Sequence, residues 1–220
     1  MKAVELEEEL TEEQKAHIAV LRRKFFRGVT VFSIFFTLIL LIILRFTVYN
    51  HKTVADYEQY VSHKDKFMRF NAAKALGSFD NDPAATRVLI KMLDDEAREV
   101  RWHAAASLSK LKDPAAVDKL IKILEKEDDP SAKSIYIYTL GQIRDDKAIP
   151  VLDNLLNSSQ KNMTVNDNKV LKLSIIQALA SYNNQKTTEI LKSFEKKTGI
   201  TSELKEFSLK MRALKGNIEN

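Results

Sequence analysis

Four cations recur at one position of a repeating pattern: Arg69, Arg101, Lys133 and Lys172, spaced 32, 32 and 39 residues apart. A second row, Lys91, Lys122, Asn154 and Lys192, recurs later in each unit. Between the two rows stand Asp82, Asp113 and Asp145. Guanidinium and ammonium groups placed at intervals take carboxylates or other anions. For the first row and the aspartates, the expected use is structural, with bonds running between neighbouring units; an anionic partner is the alternative. The second row is expected to be the partner-binding set, receiving an acidic peptide or a lipid head group. Its competing reading is plain surface filler.

Little else in the chain has the makings of catalysis. There is no cysteine, which excludes thiol nucleophiles, disulfides and cysteine metal sites. His17, His51, His63 and His103 fall in separate segments without ligand spacing. No nucleophile elbow or glycine-rich phosphate loop occurs. The acidic doublets Asp94-Asp95, Asp128-Asp129 and Asp145-Asp146 read as loop solvation or helix caps. No catalytic residue, cofactor or metal is therefore expected, and the chain is expected not to be an enzyme. A formal net charge of +5 over 220 residues of mixed sign argues against a nucleic-acid partner.

These residues ride on repeats. RFNAAKALGSFDNDPAATRVLIKML (69–93) aligns with RWHAAASLSKLKDPAAVDKLIKIL (101–124), then with KSIYIYTLGQIRDDKAIPVLDNLL (133–156) and KLSIIQALASYNNQKTTEILKSF (172–194). Leu76, Leu108, Leu140 and Leu179 anchor the four first helices. A period in the low thirties, with two helices per unit, means stacked repeats sharing one core. The Asp-Pro steps at 82–83 and 113–114 start second helices, with Pro at the first turn. The fourth copy lacks this Asp-Pro turn, and the segment Asn157–Asn168 reads as a flexible inserted loop. Five Gly and four Pro in all fit an all-α chain. Trp102 aligns with Phe70 and is expected to be core or half-buried packing.

The phrase EVRWHAAASLSKLKDPAAVDKLIKILEKEDD (99–129) resembles the HEAT family, in the short HEAT-like form of phycobilisome lyases. The resemblance implies an α-solenoid of about four helix pairs, inter-repeat bonding for the Arg and Asp rows, and a concave partner face lined by the second helices. It also raises a tetrapyrrole or bilin enzyme. That reading ranks last, because no residue outside the repeats is assignable to chromophore handling.

Residues 28–44 carry no charge, and apolar character extends to Tyr49 across Arg45. Those 22 positions make about 33 Å of helix, enough for a hydrocarbon core of about 30 Å. Thr11 and Gln14 form a capping-box pair ahead of it, so one helix is expected to enter the span unbroken. Arg22, Arg23, Lys24 and Arg27 favour a cytoplasmic N-terminus, with the repeats on the other side.

The expected organisation is a tail at 1–27, a transmembrane helix at 28–49, a linker at 50–66, HEAT-like repeats at 67–199 and a capping helix with tail at 200–220. The expected role is a single-pass scaffold or accessory subunit in a plasma or bacterial inner membrane. It would bind protein partners of a membrane complex and touch lipid through 28–49. An adaptor for anionic lipid head groups is the alternative.

Overall fold

A computed structural model describes residues 11–49, 52–158 and 163–216. The chain divides into two compact units, Met1–Lys52 and Thr53–Asn220. The expected tail at 1–10, residues 50 and 51 of the linker, 159–162 of the insertion and the end at 217–220 lie outside the described residues.

The helix described in the first unit is α1 (Glu12–Tyr49), 38 residues long. Thr11 starts it: the Gln14 amide donates to Thr11 Oγ1 at 3.4 Å, and the Thr11 amide donates to Gln14 Oε1 at 2.9 Å. The polar breaks in its apolar stretch are closed within the helix. Thr30 Oγ1 donates to the Phe26 carbonyl at 2.8 Å and Thr37 Oγ1 to the Ser33 carbonyl at 3.0 Å, as an apolar surrounding requires. Its large side chains are exposed, Phe32 by 70%. Among the described residues this is the one helix long and apolar enough to cross a membrane.

The second unit holds α2 (Val54–Glu58), α3 (Lys66–Leu76), α4 (Pro83–Met92), α5 (Arg98–Leu111), α6 (Val117–Lys126), α7 (Pro130–Ile143), α8 (Ile149–Asn157), α9 (Val165–Tyr182), α10 (Gln185–Lys196) and α11 (Ser202–Gly216). No strand occurs among the described residues. Each pair turns by the same device. A residue with positive φ (Asn81, Lys112, Arg144 or Asn183) precedes the cap of the second helix; the last three directly end their first helices, whereas α3 ends at Leu76, ahead of Asn81. The successor of the positive-φ residue caps the start of the second helix: Asp82 accepts from the Ala84 amide at 2.8 Å, Asp113 from Ala115 at 2.9 Å and Asp145 from Lys147 at 2.9 Å. Asn184 does the same for Thr187 at 2.9 Å. The fourth copy therefore keeps the turn despite its missing Asp-Pro, because an asparagine side chain caps as an aspartate does. The inserted loop is also shorter than expected, since Thr164 caps α9 and Val165–Asn168 are helical.

Helices α3, α5, α7, α9 and α11 pack directly on one another, one after the next. In the other row, α4 reaches α6, and α6 reaches α8, through the short 3-10 turns at Pro114–Ala116 and Asp146–Ala148. We call the closely packed first helices the inner row and the second helices the outer row. Leu76, Leu108, Leu140 and Leu179 are fully buried between the rows, each contributing about 1.5–3 kcal/mol. Small residues permit the inner approach. A Cβ on Gly141 would stand 2.8 Å from Cα and Cβ of Ala178. Hydroxyls pin adjacent inner helices: Ser107 Oγ donates to the Ala73 carbonyl at 2.8 Å, Thr139 Oγ1 to Ala105 at 3.1 Å, and Ser181 Oγ to Gly141.

Candidate functional site

Arg69, on the first turn of α3, is 6% exposed. Its Nε and Nη2 grip both oxygens of Asp95 at 2.7 and 3.0 Å, Nη2 also reaches Glu96 at 3.0 Å, and Nη1 donates to the carbonyls of His63 and Lys64. The Asp95 bond, with the nearby carboxylate charges, raises the guanidinium pKa against the cost of burial. Asp95 also caps α5 by accepting from the Ala97 amide at 2.8 Å. So the acid that meets Arg69 comes from an inter-repeat doublet, and Asp82, Asp113 and Asp145 serve as caps within their own units.

The other members of the first row differ. Arg101 Nη1 donates to the carbonyls of Asp95 and Glu96 at 2.8 and 3.0 Å. Lys133 is buried at 5% exposure, and Lys172 is half-buried. The second row stands on α4, α6, α8 and α10, the second helices of their pairs. Lys91, Lys122, Asn154 and Lys192 are all exposed there, and Lys91 pairs with Glu58 at 3.8 Å.

The exposed side of the inner row is aromatic at one end. Phe67 meets Phe70 edge-on at 5.7 Å, and Phe70 stacks on His103 at 5.0 Å. Trp102 is half-buried under the Arg98 guanidinium, 4.3 Å from the ring centroid. Further along, Tyr138 is 46% exposed. It edges a cleft of about 330 Å³ between α7, α9 and α11, lined mainly by carbon and by Gln142, Ser174, Gln177, Ser181, Met211 and Leu214. This slot holds no formal charge. Its polar groups are amides and hydroxyls, which can both donate and accept. Among the described residues no group of His, Cys, Asp or Glu is arranged to hold a metal ion.

Burial, and then the Lys74 charge, lower the His103 pKa from 6.5. The unfolded chain therefore binds the proton first, so this contribution is complete above about pH 6.5 and is lost as pH falls below it. Thermal midpoints should drop on mild acidification. His103→Phe, which keeps the stack on Phe70, should flatten that part of the profile; an unchanged profile would remove His103 from the account.

The HEAT-repeat family model matches residues 43–109, 57–135 and 86–164, together more than half of the chain. The chain belongs to the HEAT-repeat family. It is 34% identical over 106 residues to the bilin biosynthesis protein PecE of Nostoc sp., covering 46% of this chain and 42% of that protein. The chain thus spans about two fifths of that relative's length. Its fold superposes on a solved complex of CpcE and CpcF of phycocyanin lyase, also from Nostoc sp., with a TM-score of 0.57 at 22% identity, over 73% of this chain and 64% of that one.

These findings overturn two expectations. Neither a non-enzymatic membrane scaffold nor an adaptor for anionic head groups is what the relatives point to, and the expectation that the chain is not an enzyme falls with them.

Proposed function

We propose that this protein is a bilin-lyase-type subunit that holds a linear tetrapyrrole in its inner cleft. The observation that carries the reading is the 34% identity to a bilin biosynthesis protein. The geometry agrees with it. Tyr138 and Met211 offer flat and polarisable surfaces to a conjugated pigment. Gln142, Gln177, Ser174 and Ser181 can meet its pyrrole N–H and lactam oxygens. None of these side chains is an activated nucleophile or base, so the chain's own part is to bind and orient the pigment. The reacting group would belong to the pigment acceptor.

A protein partner fits the same reading, since the solved fold relative is a complex of two proteins. The outer row with Lys91, Lys122, Asn154 and Lys192 is a face open to it. Residues 28–49 would cross a membrane, with the basic residues Arg22–Arg27 on the cytoplasmic side. The repeats would then lie within 67–199, closed by 200–220. Alkaline extraction of membranes tests the span, which fails if the chain is released.

Titration of the detergent-solubilised full chain with biliverdin tests the pigment reading. The expected result is a shifted absorbance band with induced circular dichroism, weakened about tenfold by Tyr138→Ala. No spectral change and no heat of binding would end it.

A further inference from the structure

The repeat makes an internal comparison possible at Arg69 and Arg101. Both use Nη1 on two backbone carbonyls at the preceding turn, at matching positions one repeat apart. In Arg69 the remaining Nε–Nη2 edge holds the Asp95 carboxylate in a fork. In Arg101 no described residue takes that edge. Its repeat counterpart to Asp95 is Glu127, whose Oε1 instead accepts from the amides of Asp128 and Asp129 at 3.1 Å.

The unfilled edge borders a cleft of about 400 Å³, walled by Arg101, Lys119, Lys122, Lys126 and Glu127. Lys119 is paired with Asp94 at 2.5 Å, and Asp95 is held by Arg69. Asp94 and Asp95 line the wall too, so four cations face three carboxylates, an excess of one positive charge. Beside Arg101 lies the hydroxyl of Tyr136, a fully buried residue; its oxygen faces the Arg101 guanidinium, and its O–H has no acceptor among the described residues. A buried donor left unmet beside an open guanidinium fork marks a missing acceptor.

We propose that the cleft between the α4–α5 turn and α6 is a carboxylate-binding site, with the Arg101 Nε–Nη2 edge as its fork, Lys122 and Lys126 at its mouth and the Tyr136 hydroxyl as a further donor. Carboxylate is favoured over other anions because the same edge, one repeat earlier, takes one in the folded protein. The site is separate from the inner cleft and does not depend on the pigment reading. The ligand's carboxylate could be a pigment propionate or a free organic acid, which the probes separate.

The test is calorimetric titration of the full chain in detergent with glutarate, and with biliverdin against its dimethyl ester. Glutarate should bind, about tenfold or more weaker in Arg101→Gln and several-fold weaker in Tyr136→Phe. Tyr136→Phe removes only the buried hydroxyl, so its fold is retained even where Arg101→Gln loosens the turn. Esterification that weakens biliverdin through Arg101 identifies the propionate as the source. Glutarate bound through Arg101, with biliverdin indifferent to esterification or not bound, identifies a free acid and leaves the pigment reading to its own test. No glutarate binding, or binding that Arg101→Gln and Tyr136→Phe leave unchanged, overturns the site.

Discussion

Asp95→Ala should destabilise the repeat unit by about 3–5 kcal/mol, the largest loss expected of any single substitution here. Asp95 and Arg69 side chains are 8% and 7% exposed, so removing the carboxylate leaves a guanidinium charge out of water with only a flexible, exposed Glu96 for compensation. The same change removes the cap on the Ala97 amide, a further cost of about 1 kcal/mol. Because a stack of repeats can fray from one end, the loss should concentrate in α2–α4. Hydrogen exchange should accelerate at residues 54–92 before it does in α7–α10. Lys119→Ala, which breaks the exposed pair with Asp94, provides the contrast and should stay within about 1 kcal/mol. Equal, small effects from both substitutions in urea unfolding would show that the buried node is not what joins the first two repeats.

Gly141→Val is expected to cost more than an ordinary helix substitution gains. Valine would normally be no worse than glycine in a helix interior. Here even a single Cβ would sit 2.8 Å from backbone and side chain of Ala178 on α9, a contact that cannot be relieved by rotating a flexible tip. Pushing α7 and α9 apart also stretches the bond from Ser181 to the Gly141 carbonyl and that from the Tyr182 hydroxyl to the Leu140 carbonyl. Overpacking of this kind costs about 1–3 kcal/mol. The substitution alters the cleft beside Tyr138 as well, since Gly141 and Ala178 both line it. A thermal midpoint equal to that of the parent chain would mean that α7 and α9 separate freely.

Much of the architecture can be read in the residues. The recurrence of Arg/Lys, Ala-Ala and Leu, followed by an Asx turn and a second apolar stripe, states a helix-pair stack, because each unit leaves an apolar face only a neighbour can cover. The unbroken helix through 28–49 is equally legible from its lack of charge. The pairing of charges is not. Asp95 looks like a loop-solvating acid, and only the superposed turns bring it beneath Arg69. How closely the first helices approach also escapes a pattern of hydrophobicity, as it is decided by the size of Ala73, Gly77, Ser107, Gly141 and Ala178 at the contacts. The cleft at Tyr138 assembles from three helices separated by up to some seventy residues, and no local spacing announces it.

The two edges of the stack are fastened differently, and this gives it a mechanical character. Along the inner edge the fasteners are hydroxyl-to-carbonyl bonds shielded from water, at Ser107, Thr139 and Ser181. Along the outer edge they are solvent-facing lysine–aspartate pairs, Lys119 with Asp94 and Lys147 with Asp118, which dissolved ions weaken. Added salt should therefore loosen the contacts between second helices before it touches the seam between first helices.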